Sequence, residues 1–161
     1  MNATVAISYN NREMPNNMMQ ASSFMDDIEA GGRCLVTGNT CNGEHQTIVG
    51  CIISTFLRCT HKECIELYPL IIQDPFKFPV MLYIMTLGTA RPYRRCGLGK
   101  EMVQQCIKLG ETNKYCGSIY LNVITYNQAA IKFYENLGFM RITTIKGREG
   151  TLLCKPFYVV L

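Results

Sequence analysis

The sequence predicts an α/β fold in which a mixed central β-sheet carries helices on both faces. Three observations lead there. From Val80 to Phe139, apolar runs of strand character alternate with segments of helical period. After a short polar connection from the first of those strands, Gly97-Leu98-Gly99 opens a helix. Nearer each end, paired apolar runs flank turns rich in Gly and Asn, which reads as hairpins. At 161 residues, 1–161 is expected to be one domain with one core.

Residues 1–20 read as loop, with Pro15 followed by Asn16 and Asn17 as a turn signal. Residues 22–30 suit a short helix ended by Gly31 and Gly32. Paired strands are expected over 33–37 and 48–57 around the Asn- and Gly-rich turn 39–44. Residues 58–79 carry Pro69, Pro75 and Pro79 and read as an irregular insertion before a strand over 80–87. A helix over 97–109 and a strand over 118–123 follow. Asn127 is then a good N-cap for a helix in which Ala130, Ile131, Tyr134 and Leu137 recur at helical spacing, and Gly138 suits its C-terminal end. Residues 139–145 and 151–161 read as a last hairpin around the turn 147–150.

Composition excludes several classes of function. With 48% hydrophobic and 17% charged residues the chain is globular and not disordered. A formal charge of +4 without any basic run suits an anionic small molecule and falls short of a nucleic-acid signature. The nine cysteines are odd in number and scattered, with no Cys-x-x-Cys pair, so they imply neither a disulfide framework nor a zinc site. Cys51, Cys106 and Cys154 fall in apolar patterns and are expected in the core. Cys59, His61 and Cys64 lie close together but lack a fourth ligand at recognisable spacing, so no metal is expected. Free thiols point to a reducing compartment, here the cytoplasm. The polar N-terminus is unlike a signal peptide, and no apolar run is long enough to span a bilayer.

The chemistry concentrates in Arg94-Arg95-Cys96-Gly97-Leu98-Gly99-Lys100. Glycines at a helix N-terminus let backbone N–H groups approach an anion, and the helix dipole favours negative charge there. A Walker loop is excluded, because one residue separates the glycines and Glu101 follows Lys100. A dinucleotide fingerprint is excluded because Met102 stands where its third glycine belongs. A pyrophosphate grip remains, and so does an ordinary surface turn with two glycines.

The order strand, Arg-x-x-Gly-x-Gly helix, strand, then Asn127-x-x-Ala130-x-x-Phe133-Tyr134-x-x-x-Gly138-Phe139 resembles the GNAT superfamily of acetyl-coenzyme A-dependent N-acetyltransferases. Within it, Leu82-Tyr83-Ile84-Met85-Thr86-Leu87-Gly88, Pro92-Tyr93-Arg94-Arg95 and Ile119-Tyr120-Leu121 look like protein N-terminal acetyltransferases of the NatE and NatF catalytic-subunit type. The resemblance implies the GNAT fold, with central strands that splay around acetyl-CoA. It also implies a further strand and helix before the substrate loop. Val5-Ala6-Ile7-Ser8-Tyr9 is similar to that loop, and only four residues precede it. Either the sequence is truncated there or the fold has lost its first strand and helix, and in both cases the neighbouring sheet edge is expected to invite self-association. NatF-type relatives carry a C-terminal membrane-associating tail, whereas this chain stops at Leu161, so no membrane anchor is expected.

By the same resemblance, the backbone of Leu87, Gly88 and Thr89 pairs with the pantetheine arm. Arg94, Arg95, Cys96, Gly97, Leu98, Gly99 and Lys100 take the pyrophosphate. Asn127 contacts pantetheine, and Tyr134 acts beside the sulfur as leaving-group acid, although a tyrosine there is also an ordinary core residue. Tyr83 matches the strand tyrosine that works with the general base. Tyr9, Met85, Ile145, Lys146, Gly147 and Arg148 are implied to frame the peptide cleft. One departure stands out: the family's Tyr-Leu-His-Val is Tyr120-Leu121-Asn122-Val123 here, and a side-chain amide accepts no proton at neutral pH. The acceptor expected is a protein or peptide N-terminus beginning with Met and a hydrophobic residue. Lysine (histone-type) acetylation, small-molecule amine acetylation, and a weakly active acetyl-CoA-binding subunit serving a partner complex are the alternatives.

Overall fold

A computed structural model describes residues 3–8, 33–41, 45–61, 65–72, 74–145 and 150–157. The chain forms two compact units. One comprises Met1–Thr55 with Thr86–Met102, the other Phe56–Met85 with Val103–Leu161. Its elements are β1 (Ala3–Ser8), β2 (Arg33–Cys41), β3 (His45–Arg58), α1 (Tyr68–Ile71), β4 (Val80–Thr89), α2 (Leu98–Thr112), β5 (Cys116–Ile124), α3 (Gln128–Glu135), β6 (Met140–Ile145) and β7 (Gly150–Pro156). The chain passes from one unit to the other within β3, β4 and α2.

In the first unit, β1 pairs antiparallel with β2, and β2 with β3. The expected hairpin is present with longer arms, since Asn39, Thr40 and Cys41 continue β2 and Cys41 still faces His45. The N-terminal expectation needs correction. Val5 to Ser8 are not substrate loop; they belong to β1, with Val5 opposite Thr37 and Ser8 opposite Cys34. Thr4, Val5 and Ile7 are β-branched, and an extended β2 offers them a partner, so a strand forms where a loop was expected. The edge of β2 expected to be bare is thereby occupied. Tyr9 and the expected helix over 22–30 lie outside the described residues.

In the second unit the strand order is β4-β5-β7-β6. The β4–β5 pair is parallel, while β5–β7 and β6–β7 are antiparallel, so the sheet is mixed as expected. Residues 116–121 of β5 are buried without a break; from Asn122 onward exposed and buried positions alternate. The sheet has two covered faces. On one, Leu82 is fully buried and α2 lies against it, since a Cβ at Gly110 would stand 3.5 Å from Leu82 Cδ2. That same Cβ would fall 2.3 Å from the ring of Phe157. Gly110 therefore stays inside α2, which runs three residues past the predicted end, because a ring takes the space a side chain would need.

On the other face, Met81, Tyr120, Leu152 and Cys154 pack with Cys59, Ile71 and Ile72. The insertion 58–79 is thus a cover over the sheet and not merely an irregular connection. Pro69 does not break α1, because it sits in the first turn, where a missing N–H costs no intrahelical bond. Asp74 Oδ1 accepts from the N–H of Phe76 and of Lys77, closing the turn that leads into β4. The final hairpin is present, but β7 begins at Gly150, which was expected in the turn, and ends at Pro156 where the strand was expected to run to 161.

Candidate active site

The loop that leaves β4 in the first unit gathers backbone N–H groups and basic side chains. After Thr89 the chain makes a 3₁₀ turn at Arg91–Tyr93, and Arg94 Nε donates back to the Thr89 carbonyl at 3.0 Å. Arg95 and Gly97 then adopt left-handed conformations, with φ of 64° and 86°. Such reversals curl successive backbone N–H groups into a concave donor site. Leu98 starts α2, and the first N–H of the regular ladder belongs to Glu101, which donates to the Gly97 carbonyl at 3.0 Å. The N–H groups of Leu98, Gly99 and Lys100 have no intrahelical acceptor. Arg94, Arg95, Cys96, Gly97 and Lys100 are exposed. Upstream, Leu87, Gly88 and Thr89 are half-buried at the end of β4. A Cβ on Gly88 would meet only Cys51 Sγ, at an ordinary 3.9 Å. Donors, positive charge and a backbone free of obstruction fit a pyrophosphate carried on a slender arm.

Cys96 stands in this loop with its thiol donating weakly to the Arg94 carbonyl at 3.5 Å. We expect iodoacetamide to label Cys96 and to abolish thermal stabilisation by coenzyme A. Saturating coenzyme A should slow that labelling at least about tenfold by occupying the loop, as peptide mapping would show.

The candidate catalytic residues of the second unit share one sheet face. The β4–β5 ladder ends at Tyr83 opposite Tyr120, although both strands continue. The two rings stack with centroids 4.8 Å apart and planes 15° apart. Tyr83 is half-buried and Tyr120 buried. Met85 and Asn122 are each two residues further along, hence on the same face and about 7 Å on. Asn122 is exposed, in register with Leu152 of β7. Tyr120 was given no role by the sequence; only the parallel register, which is not written in either strand alone, puts it beside Tyr83.

Asn127 and Tyr134 are also in the second unit, and packing defines both. Asn127 caps α3, its Oδ1 accepting from the Ala130 N–H at 3.1 Å, which leaves its NH₂ as a donor for a ligand. Gly138 ends the helix with φ of 87°. Tyr134 is 6% exposed and meets Phe133 and Phe139 edge-on, at 5.0 and 5.5 Å. Burial, with Cys106 nearby, pushes its phenol up to about 12. Ile145 ends β6, while Lys146, Gly147 and Arg148 lie outside the described residues. Among the described residues no group of three His, Cys, Asp or Glu side chains could hold a metal, and no helix is long and apolar enough to cross a membrane.

Burial also pushes the Cys116 and Cys154 thiols up, to about 11 and about 12. All three groups are neutral in the fold and ionise earlier in the unfolded chain, thiols from about pH 8.5 and the phenol from about pH 10. Stability should therefore be full below about pH 8.5 and fall as pH rises toward 12. Tyr134 alone accounts for about 3 kcal/mol of that fall, all above pH 10. Melting curves of wild type and Tyr134→Phe should diverge only there.

A family model described as "Acetyltransferase (GNAT) family" matches residues 8–139. N-alpha-acetyltransferase 50 of Danio rerio is 45% identical over 65 residues, which are 40% of this chain and 39% of that protein. N-alpha-acetyltransferase 60 of Xenopus tropicalis is 30% identical over 122 residues, 73% of this chain and 48% of that one. The matches thus span less than half the length of these relatives. Among solved structures, Arabidopsis thaliana NAA60 in complex with acetyl-CoA superposes with a TM-score of 0.72 at 18% identity, over 96% of this chain and 98% of that one.

Proposed function

Because the chain belongs to the GNAT acetyltransferase family, we propose that it transfers acetyl from acetyl-CoA to the α-amino group of protein N-termini, those beginning with Met and a hydrophobic residue. The observation that carries this reading is the meeting of β4 and β5, where half-buried Tyr83 stacks on Tyr120 and exposed Asn122 follows two residues beyond Tyr120. Acetyl-CoA supplies the activated thioester. The Arg94–Lys100 loop takes its pyrophosphate through backbone N–H groups and basic side chains, and the backbone of Leu87–Thr89 accompanies the pantetheine arm. We treat residues 1–161 as one N-acetyltransferase domain, since β3, β4 and α2 each continue from one unit into the other.

At the acceptor, Asn122 takes up no proton, so the amine must arrive neutral or lose its proton to water held by the Tyr83 phenol. Met85, two residues beyond Tyr83, supplies apolar surface for the acceptor's first side chain. Tyr134 stays protonated at every working pH. A phenol near 12 gives no proton outright to a thiolate of ordinary acidity, about 8.5. Its role is to donate a hydrogen bond to the departing sulfur, while the proton that finally reaches the sulfur comes from the acceptor ammonium. We place the enzyme in the cytoplasm, where its nine cysteines stay reduced.

The test is thiol release with N-terminal peptides, an internal-lysine peptide and a small amine, beside thermal stabilisation by coenzyme A. Turnover of a Met-Leu N-terminus well above the other acceptors is the result expected. Equal turnover of lysine would overturn the acceptor assignment. Stabilisation without turnover would favour a second reading, an acetyl-CoA-binding subunit within a complex, for which the amide in place of a base at 122 is the motivating observation.

A further inference from the structure

We propose that Tyr120 is a positioning residue for Tyr83: its ring is the platform that fixes the plane and reach of the phenol at the acceptor. The proposal rests on the acetyl-transfer reading above for its chemistry and on the packing for its geometry. Tyr83 is half-buried and packs at the margin of the cluster that holds Tyr120, so the orientation of its ring depends on the neighbours it leans on. Tyr120 lies deeper. It is 2% exposed and set among Met81, Ile71, Ile72, Leu152, Cys154 and Cys59. The two rings lie 4.8 Å apart and nearly parallel, within the range at which aromatic pairs attract beyond simple burial. The stack falls on the last residue pair of the β4–β5 ladder, so backbone pairing fixes both Cα positions just where the strands stop supporting each other. Beneath it, the insertion that carries α1 closes the face; beyond it, Asn122 meets solvent.

A buried ring held in register beside a half-buried one is what a rigid support for a working side chain requires. Its value is large because no imidazole stands at 122. With a single phenol left to hold the acceptor or its water, a misplacement of about 1 Å costs on the order of a hundredfold in rate. Tyr120 itself is only 2% exposed, so the half-buried Tyr83 is the ring of the pair that an acceptor can meet.

The experiment compares Tyr120→Leu, Tyr120→Met and Tyr120→Phe, alone and on a Tyr83→Phe background. Steady-state turnover of a Met-Leu peptide is normalised to protein that binds coenzyme A, and ring signals of ¹³C-labelled tyrosine are recorded by NMR. Tyr120→Leu and Tyr120→Met should lower kcat about 10- to 100-fold with KM within about twofold. Tyr120→Phe, which keeps the flat ring, should restore most of kcat. On the Tyr83→Phe background the same changes should alter kcat less than about twofold, because the group they position is gone. Tyr83 ring protons should lie upfield in wild type and Tyr120→Phe and move downfield in Tyr120→Met. Equal losses on both backgrounds, or a Tyr83 signal that Tyr120→Met leaves unmoved, overturn the proposal. If Leu prevents folding, Met fills a similar volume without a flat face and carries the same test. A protein with the NMR coupling intact and no turnover of any amine would overturn the acetyl-transfer reading, and the catalytic half of this proposal with it.

Discussion

Wild-type protein will acetylate an N-terminal α-amine about 300-fold faster than a lysine side chain at pH 7.4 from deprotonation alone. The α-amino group titrates near 7.8, so roughly 30% is neutral at that pH, whereas a lysine near 10.4 leaves about 0.1%. An enzymic base could erase this difference by taking the proton itself. Asn122 cannot, and it stands exposed on the face that carries Tyr83. Activity should therefore climb with the α-amine pKa toward pH 8–9, with no inflection of the enzyme near 6.5. Asn122→His tests the cause. At pH 6.5 only about 5% of the amine is neutral, and an exposed imidazole is about half deprotonated, so turnover should rise about tenfold. By pH 9 the amine is mostly neutral already, and the gain should shrink to less than about twofold. A wild-type profile already flat from pH 6.5 upward would reveal another base and sink this account.

Gly97→Val should abolish coenzyme A binding while the fold survives. At saturation near a hundred times Kd, a ligand stabilises by about 2.7 kcal/mol, which in a chain of this size raises Tm by roughly 5–10 °C. The variant should lose all of it. The reason is conformational and not crowding: a Cβ at Gly97 would meet nothing within 4 Å, but φ is +86°. A β-branched residue does not hold that value, and the left-handed conformation costs about 1–2 kcal/mol even for an unbranched one. The loop would relax to negative φ, and the N–H groups around Leu98 would no longer converge. Gly97→Ala should weaken binding to an intermediate degree. Thermal melts with titrated coenzyme A decide the matter; a Gly97→Val protein with wild-type stabilisation would mean that the pyrophosphate sits elsewhere.

Helix starts and stops were legible because they are local. Asn127 caps the backbone three residues away, and Gly138 turns left-handed at the end of the helix it terminates. Neither needs a distant partner to be recognised. The two glycines after Arg94 were equally readable, since the chemistry they permit lies in their own backbone. Arg95 was not foreseen in the left-handed region; nothing in its side chain favours it, and the turn around it imposes the angle.

Elements that depend on remote partners were misread. Ala3–Ser8 looked like loop because six residues with only modest hydrophobicity become a strand only beside β2. The insertion 58–79 looked irregular because its prolines mask a short helix, and its burial comes from a sheet face assembled from β4, β5 and β7. The helix expected to end at Leu109 continues to Thr112 through Gly110, where the ring of Phe157, some fifty residues on, takes the room a side chain would need.

By itself the sequence determined the two-glycine start of α2, the capped helix that carries Tyr134, and the absence of a histidine at position 122, because each is a matter of residue type at short spacing. Only the tertiary structure decided that Tyr83 has a platform. That pair depends on the register of two parallel strands whose ladder ends at Tyr83 and Tyr120. In a parallel sheet the register follows from the path of the whole crossover and from what each face buries, and no local spacing along either strand contains it.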